Sequence, residues 1–145
     1  MILDKQNQLS DSQAFTIDAV STNTIDCGNP TPKNDIGSGE PMCIAVNVEV
    51  AGAGGGSYEF QAVQSANADL SSHDVLASVF PTEAQLAVGY TFAIPIPQGS
   101  VTKRYVGLRF NNVSGTTGVT VSAHLIPASH FQNSKPYAKN YTITV

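Results

Sequence analysis

The fold is decided by residues 35–50, which read DIGSGEPMCIAVNVEV. A turn rich in glycine and proline, Asp35–Pro41, leads into a run of alternating side chains, Met42–Val50. An apolar period of two residues is typical of a strand that buries one face. We predict a core face formed by Met42, Ile44, Val46, Val48 and Val50, and an opposite face formed by Cys43, Ala45, Asn47 and Glu49.

Similar short runs recur along the chain, separated by stretches rich in Gly, Pro, Ser and Asn. They begin at Phe15, Asn23, Tyr58, Asp74, Tyr90, Lys103 and Val119. About eight strands without a long helix predict an all-β, antiparallel sandwich or barrel. Residues 14–126 form this domain. Residues 1–13 lack a periodic apolar face and are predicted to be an N-terminal arm, and residues 127–145 a C-terminal tail or an extra edge strand.

The composition suits one domain with a weakly charged surface. The 145 residues are 41% hydrophobic and 12% charged, against about 25% charged in ordinary soluble domains. With a net charge of -4 and only 7 Lys plus Arg, the chain lacks the basic field that nucleic acid or an anionic membrane requires. No run approaches the ~20 apolar residues of a spanning helix. We expect neither nucleic acid nor a membrane as partner.

The N-terminus and the two cysteines point to a reducing compartment. Met1–Asn7 contains no basic or apolar segment of an export signal, so we expect the protein to be made in the cytoplasm. Cys27 and Cys43 lack CxxC spacing and are expected to be small, reduced, partly buried side chains.

No arrangement of residues indicates catalysis or a cofactor. The glycine run 52–56 is followed by an apparent strand rather than by Lys-Ser and a helix, which excludes a phosphate loop, and we expect a flexible hairpin connection there. The three histidines are scattered, which argues against zinc, and no GxSxG elbow is present. Most carboxylates stand beside turns, where they cap and solubilise. We therefore predict no catalytic residue, no cofactor and no metal, and a protein that is not an enzyme.

Four stretches in the same order carry a resemblance to a known family. Leu9–Gln13, Ser21–Gly28, Asp35–Pro41 and Arg104–Leu108 together resemble the capsid cement, or decoration, proteins of short-tailed bacteriophages. The similarity covers about the first fifty residues and the segment around Arg104. The chain departs from the family at Cys27, where an aliphatic residue is usual, and at Met42–Cys43.

The resemblance implies a jelly-roll-like β-sandwich of about eight strands with extended arms. It also implies a protein of the virion, assembled in the host cytoplasm, that binds the outer capsid surface, bridges major capsid protein subunits and has no catalytic activity. A homo-oligomer suits such a role. Symmetry favours a dimer, with a trimer as the other natural choice.

The candidate capsid contacts are the pieces that a sandwich core does not explain. They come from the N-terminal arm, the loop before the alternating strand and the aromatic tail: Leu3, Asp4, Lys5, Leu9, Asp35, Ile36, Glu40, Phe131, Tyr137 and Tyr141. The alternative function is a receptor- or carbohydrate-binding β-sandwich of a phage virion, although the chain has no Trp to form a sugar platform.

Overall fold

Strands make up nearly all of the regular structure. The computed structural model describes residues 3–28, 36, 39–114 and 118–133. Within them lie a 3₁₀ turn (Lys5–Asn7), a short helix α1 (Ala128–Asn133) and nine strands. The strands are β1 (Gln8–Phe15), β2 (Ala19–Val20), β3 (Ile25–Asp26), β4 (Met42–Val50), β5 (Ser57–Ser65), β6 (Asp74–Val79), β7 (Thr91–Ile96), β8 (Tyr105–Ser114) and β9 (Val119–Pro127).

The strands form two antiparallel sheets that pack as a sandwich. The four-stranded sheet has the order β1-β9-β4-β7, and the five-stranded sheet has the order β2-β8-β5-β6 with β3 also paired to β8. The chain is wound like a folded hairpin, because β1 pairs with β9, β2 and β3 with β8, β4 with β7, and β5 with β6. This winding is the jelly-roll arrangement. The predicted antiparallel, jelly-roll-like sandwich is therefore confirmed.

Strands β2 and β3 are two halves of one interrupted strand. Both pair with β8, and Ser21 lies in the gap between them. The backbone N–H of Ser21 donates to the Leu108 carbonyl (2.7 Å), and the Leu108 N–H donates to Ser21 Oγ (3.1 Å). The serine hydroxyl thus supplies the acceptor that a continuous strand would have offered. With β2 and β3 counted together, the sandwich has the eight strands expected of a jelly roll.

The core lies between the sheets and is centred on aromatic rings. Phe60 is fully buried, with its ring centroid 5.2 Å from Phe110, 5.2 Å from Phe92 and 6.5 Å from Phe15. Edge-to-face pairs at such distances contribute roughly 0.5–1.5 kcal/mol beyond the burial of their area. Aliphatic residues of β4 and β9 close the core from the opposite sheet: Ile44, Val46, Val48, Val119, Val121 and Leu125.

The predicted strand 42–50 is present, with one exception in its core face. Ile44, Val46 and Val48 are buried, whereas Val50 is 56% exposed. The prediction for Val50 is wrong because the register between β4 and β9 shifts after Val48. An extra residue at such a bulge breaks the two-residue alternation and turns the following side chain outward.

The predicted N-terminal arm is shorter than expected. Residues 8–13 lie in β1, an edge strand of the four-stranded sheet. The two-residue alternation of β1 is hard to see in the sequence because its pairing with β9 shifts register twice. Ser12, within β1, also has a positive φ of 46°. The chain then turns at residues 16–18 and enters the other sheet, so Ile17 is 71% exposed and not part of the strand expected there.

Two further connections differ from expectation. The glycine-rich segment 52–56 does not close a hairpin, because it carries the chain from β4 in one sheet to β5 in the other. The C-terminal tail was predicted from residue 127, but Pro127 still belongs to β9 and residues 128–133 form α1. The rest of that tail, 134–145, lies outside the described residues.

Candidate interaction surface

The antiparallel topology gathers separate stretches of sequence at one end of the sandwich. Strands β1 and β4 begin there, and β7 and β9 end there, because the pairs Gln8–His124, Met42–Pro127 and Met42–Ile96 lie side by side. Four segments therefore meet at this end: the 3₁₀ turn, residues 39–41, the turn after β7 and helix α1. We call this region, formed by residues 3–7, 39–41, 97–100 and 128–133, the α1 end.

The 3₁₀ turn is fixed by local hydrogen bonds. The side chain of Asp4 caps it by accepting from the Gln6 N–H (2.9 Å), and the Asn7 N–H donates to the Asp4 carbonyl (3.0 Å). This leaves the Lys5 side chain in solvent and Leu3 42% exposed. The α1 end therefore exposes both an apolar side chain, Leu3, and a cationic side chain, Lys5.

Helix α1 is tied to the residues that precede β4. The Ala128 N–H donates to the Pro41 carbonyl (2.7 Å), and the Ser129 hydroxyl donates to the Glu40 carboxylate. Phe131 packs on the outer face of the four-stranded sheet, against a small buried cluster that includes Cys43. The other members of this cluster are Ala45, Ala93, Ile126 and Ala128. The ring of Phe131 thus fixes the helix on the sheet.

The candidate contact residues separate into three groups. Leu3, Asp4, Lys5 and Glu40 are exposed and lie together at the α1 end, and Phe131 is half-buried beside them. Asp35, Tyr137 and Tyr141 lie outside the described residues.

Two candidates have their side chains in the core. Leu9 is fully buried, so its assignment as a surface contact is corrected: it points between the sheets from β1. Ile36 is half-buried and packs against the main core, which makes it an anchor for its loop.

A salt bridge at the start of β8 joins two of the family-like sequence blocks. Arg104 binds Asp26 through two parallel hydrogen bonds of 2.9 and 2.8 Å, and its guanidinium carbon lies 4.9 Å from the centre of the Tyr105 ring. The hydrogen bond from Arg104, followed by that from the Gly28 N–H, lowers the pKa of Asp26 to about 2. Both side chains of this bridge are substantially exposed, and the bridge joins the end of β3 to the residue before β8.

The outer face of the five-stranded sheet carries a saturated polar network. The Glu59 carboxylate accepts from Gln61 and Asn111, both at 2.8 Å, while Arg109 donates to Gln61 Oε1 (2.8 Å) and pairs with Asp18 (3.6 Å). Burial raises the pKa of Glu59, but hydrogen bonds from these amides and from the Ser78 hydroxyl, with the charge of Arg109, outweigh it and lower the pKa overall. The carboxylate therefore stays ionised and structural.

The opposite end of the sandwich presents apolar side chains that the sequence pattern did not single out. Ile17, Val50, Phe80 and Val88 are between 56% and 71% exposed, and all lie in residues 16–18, 50–56 or 80–90. Val50 and Val88 come close, because the Gly89 N–H donates to the Val48 carbonyl (2.8 Å). These three stretches contain no Lys, Arg or His. The two ends of the molecule therefore differ in character.

Burial protects both cysteine thiols. Both cysteines are free and buried, and burial raises the pKa of each thiol to about 11, with the charge of Asp26 adding to the effect at Cys27. Among the described residues, no group of three or more His, Cys, Asp or Glu is placed to hold a metal ion. The helices in that part of the chain are too short or too polar to cross a membrane.

Comparison with known proteins gives one family. The family model described as Bbp16 matches residues 9–125, which is the sandwich from the second residue of β1 almost to the end of β9. The 3₁₀ turn and helix α1 lie outside the matched range. No curated protein matches the chain.

Proposed function

Because the chain belongs to the Bbp16 family, which is phage-related, we propose that it is a structural protein of the virion that binds the outer surface of a bacteriophage capsid. In this role it cements neighbouring major capsid protein subunits and stabilises the shell without catalysing a reaction.

One observation carries the proposal beyond the family. Three distant parts of the sequence meet at the α1 end: the 3₁₀ turn, the residues before β4, and helix α1. Four of the predicted contact residues, Leu3, Asp4, Lys5 and Glu40, are exposed there. A rigid jelly roll supports them, so few degrees of freedom are lost on binding. We propose that this end faces the major capsid protein.

A cement protein stabilises a shell by mass action. It binds the assembled state better than separated subunits, and at about 100 times its dissociation constant a ligand contributes about 2.7 kcal/mol per site. The shell offers many equivalent sites, so modest contacts at each one add up.

The proposed assembly is a homo-oligomer. A dimer is favoured because two-fold symmetry is the commonest arrangement and two linked copies raise the effective concentration at the shell. A trimer at a three-fold position is the other proposed state. Light scattering of the purified protein distinguishes the two by mass.

The α1 end is tested by co-sedimentation with capsids that lack the protein. Deleting residues 1–7 leaves β1 and the buried Leu9 intact, and we expect at least about tenfold weaker binding, equivalent to about 1.4 kcal/mol. The substitution Lys5→Glu tests the same surface without shortening the chain. The matched control is Val88→Ala at the opposite end, which should bind as the parent does.

Two outcomes contradict the proposal. Full binding by both α1-end variants removes that end from the contact. A parent protein that ignores capsids but binds defined sugars on a glycan array identifies the chain as a carbohydrate-binding sandwich instead.

A further inference from the structure

His124 is a buried imidazole at the junction of three strands. It lies on β9, beside Gln8 of β1 and Ala45 of β4, and is 8% exposed. Within the part of the chain that the structure describes, nothing forms a hydrogen bond with its ring. Buried polar side chains are normally hydrogen-bonded, so a buried imidazole without such a bond is unusual.

The elements packed against β9 place few charges near this ring. The titratable groups on them are Asp11 on β1, Lys5 in the 3₁₀ turn, Cys43 and Glu49 on β4, and His130 on α1. Burial lowers the pKa of His124, and the opposing charge of Asp11 does not compensate. Glu49 accepts hydrogen bonds from the Ser12 and Ser122 hydroxyls. The closed structure therefore disfavours the charged form of the imidazole.

The first strand is the element that can open to expose this ring. β1 lies at the edge of the four-stranded sheet, pairs with β9 and with no other strand among the described residues, and has two register shifts near its start. The Asn23 N–H also donates to the Leu9 carbonyl (3.0 Å), and this bond must break in the same opening. The 3₁₀ turn before it also contacts β9. Separation of residues 3–10 from β9 brings water to His124 and removes the cost of charging it.

We infer that His124 makes the attachment of residues 3–10 to the four-stranded sheet sensitive to acid. The closed state binds the proton poorly and the open state binds it normally, so opening increases as the pH falls below the ordinary histidine value of about 6.5. Opening should therefore increase between pH 7.5 and pH 5.5, by about tenfold at most, which is the limit for a closed state that binds no proton in this range. Asp26, whose pKa is lowered to about 2, loses its contribution to stability only in a lower pH range than this histidine.

Hydrogen–deuterium exchange on the isolated protein tests the inference without any capsid. Exchange in the peptide covering residues 3–12, corrected for the intrinsic effect of pH, should rise severalfold from pH 7.5 to pH 5.5, with about tenfold as the upper limit. A peptide from the central strand β5 should not change. In His124→Gln the rise should disappear, whereas in His130→Gln, which alters an exposed histidine on α1, it should persist.

A second measurement protects the test against a variant that does not fold. An NMR titration of the parent should show the His124 ring taking up its proton in the same pH range in which residues 3–12 open. Opening that persists in His124→Gln, or a ring that titrates without any change in exchange at residues 3–12, overturns the inference. Because no capsid is used, failure here leaves the proposed function standing, and failure of capsid binding leaves this result unaffected.

Discussion

Leu70 lies directly over Gly107, so closely that a Cβ on Gly107 would stand 2.4 Å from Leu70 Cδ1. Leu70 is 1% exposed although its own φ is +58°, a conformation that side-chain-bearing residues rarely adopt. The Ser65 hydroxyl donates to the Ser71 carbonyl and helps to hold this strained loop in place. The glycine in the family-like block Arg104–Leu108 is therefore needed for packing against a loop far away in sequence.

Substituting Gly107→Ala should destabilise the protein by about 1–3 kcal/mol, because the new methyl group overlaps the buried Leu70 side chain, which must shift within the packed interior. Urea denaturation measures the effect. Gly39→Ala is the matched control, since a Cβ there meets nothing within 4 Å. In a Leu70→Ala background the cost of Gly107→Ala should fall well below its value in the parent, and full additivity would show that the contact does not matter.

Substituting Ser21→Ala should cost about 1–3 kcal/mol, because it leaves the buried Leu108 N–H without its acceptor. Thr22→Ala is a neighbouring control at an exposed position. Equilibrium unfolding of both variants provides the comparison. Equal stability of the two would mean that the hydroxyl does not bridge β2 and β3.

Substituting Leu9→Ala should cost about 2–5 kcal/mol in the isolated protein, as expected for a large core side chain. Leu3→Ala should leave stability within about 0.5 kcal/mol of the parent because Leu3 is largely exposed. Thermal or urea unfolding separates the two. A harmless Leu9→Ala would place residue 9 in an arm after all.

The Asp26–Arg104 salt bridge should make stability sensitive to strong acid. Since folding lowers the pKa of Asp26 from its usual value near 4 to about 2, the stabilisation is complete above pH 4 and is lost as the pH falls through about 2. The melting temperature of Asp26→Asn should therefore vary less with pH in this range than that of the parent. Part of the pH dependence of the melting temperature should remain in this variant, because the pKa values of Glu59 and Asp69 are also lowered. An unchanged slope in Asp26→Asn would contradict the assignment.

Both cysteines should be unreactive in the native protein. Their thiols are buried and have pKa values raised to about 11, so very little thiolate forms at pH 8. A thiol-reactive dye should label neither residue until the protein unfolds, and then label both. Rapid native labelling of Cys43 would mean that Phe131 and α1 do not cover it.

The sequence predicted those parts of the fold that keep a regular period. The alternation in β4 placed Ile44, Val46 and Val48 correctly in the core. Sequence alternation fails at bulges, because one extra residue inverts which side chains face the core. For this reason most of β1 was predicted to be an arm, and Val50 was predicted to be a core residue. Which sheet a strand joins is decided by packing across the sandwich, and local pattern does not encode it.

The sequence predicted several residues of the candidate surface but not that they lie close together. The sequence indicated residues 3–5, Glu40 and Phe131 because no core explained them, but it gave no reason for them to meet. Their meeting depends on the Met42–Pro127 pairing and on the hydrogen bond from Ala128 to Pro41, both between distant parts of the chain. The burial of His124 was missed for the same reason, because the neighbouring strands that enclose it belong to other stretches of the sequence.

An electron cryo-microscopy reconstruction of the mature capsid with the protein bound is the decisive test of capsid binding through the α1 end. We expect a jelly roll on the outer surface of the shell, with its α1 end against the shell and in contact with more than one major capsid protein subunit. A shell that binds no copy of the protein, or a bound copy that touches the capsid only through the opposite end with Ile17, Phe80 and Val88, would contradict it.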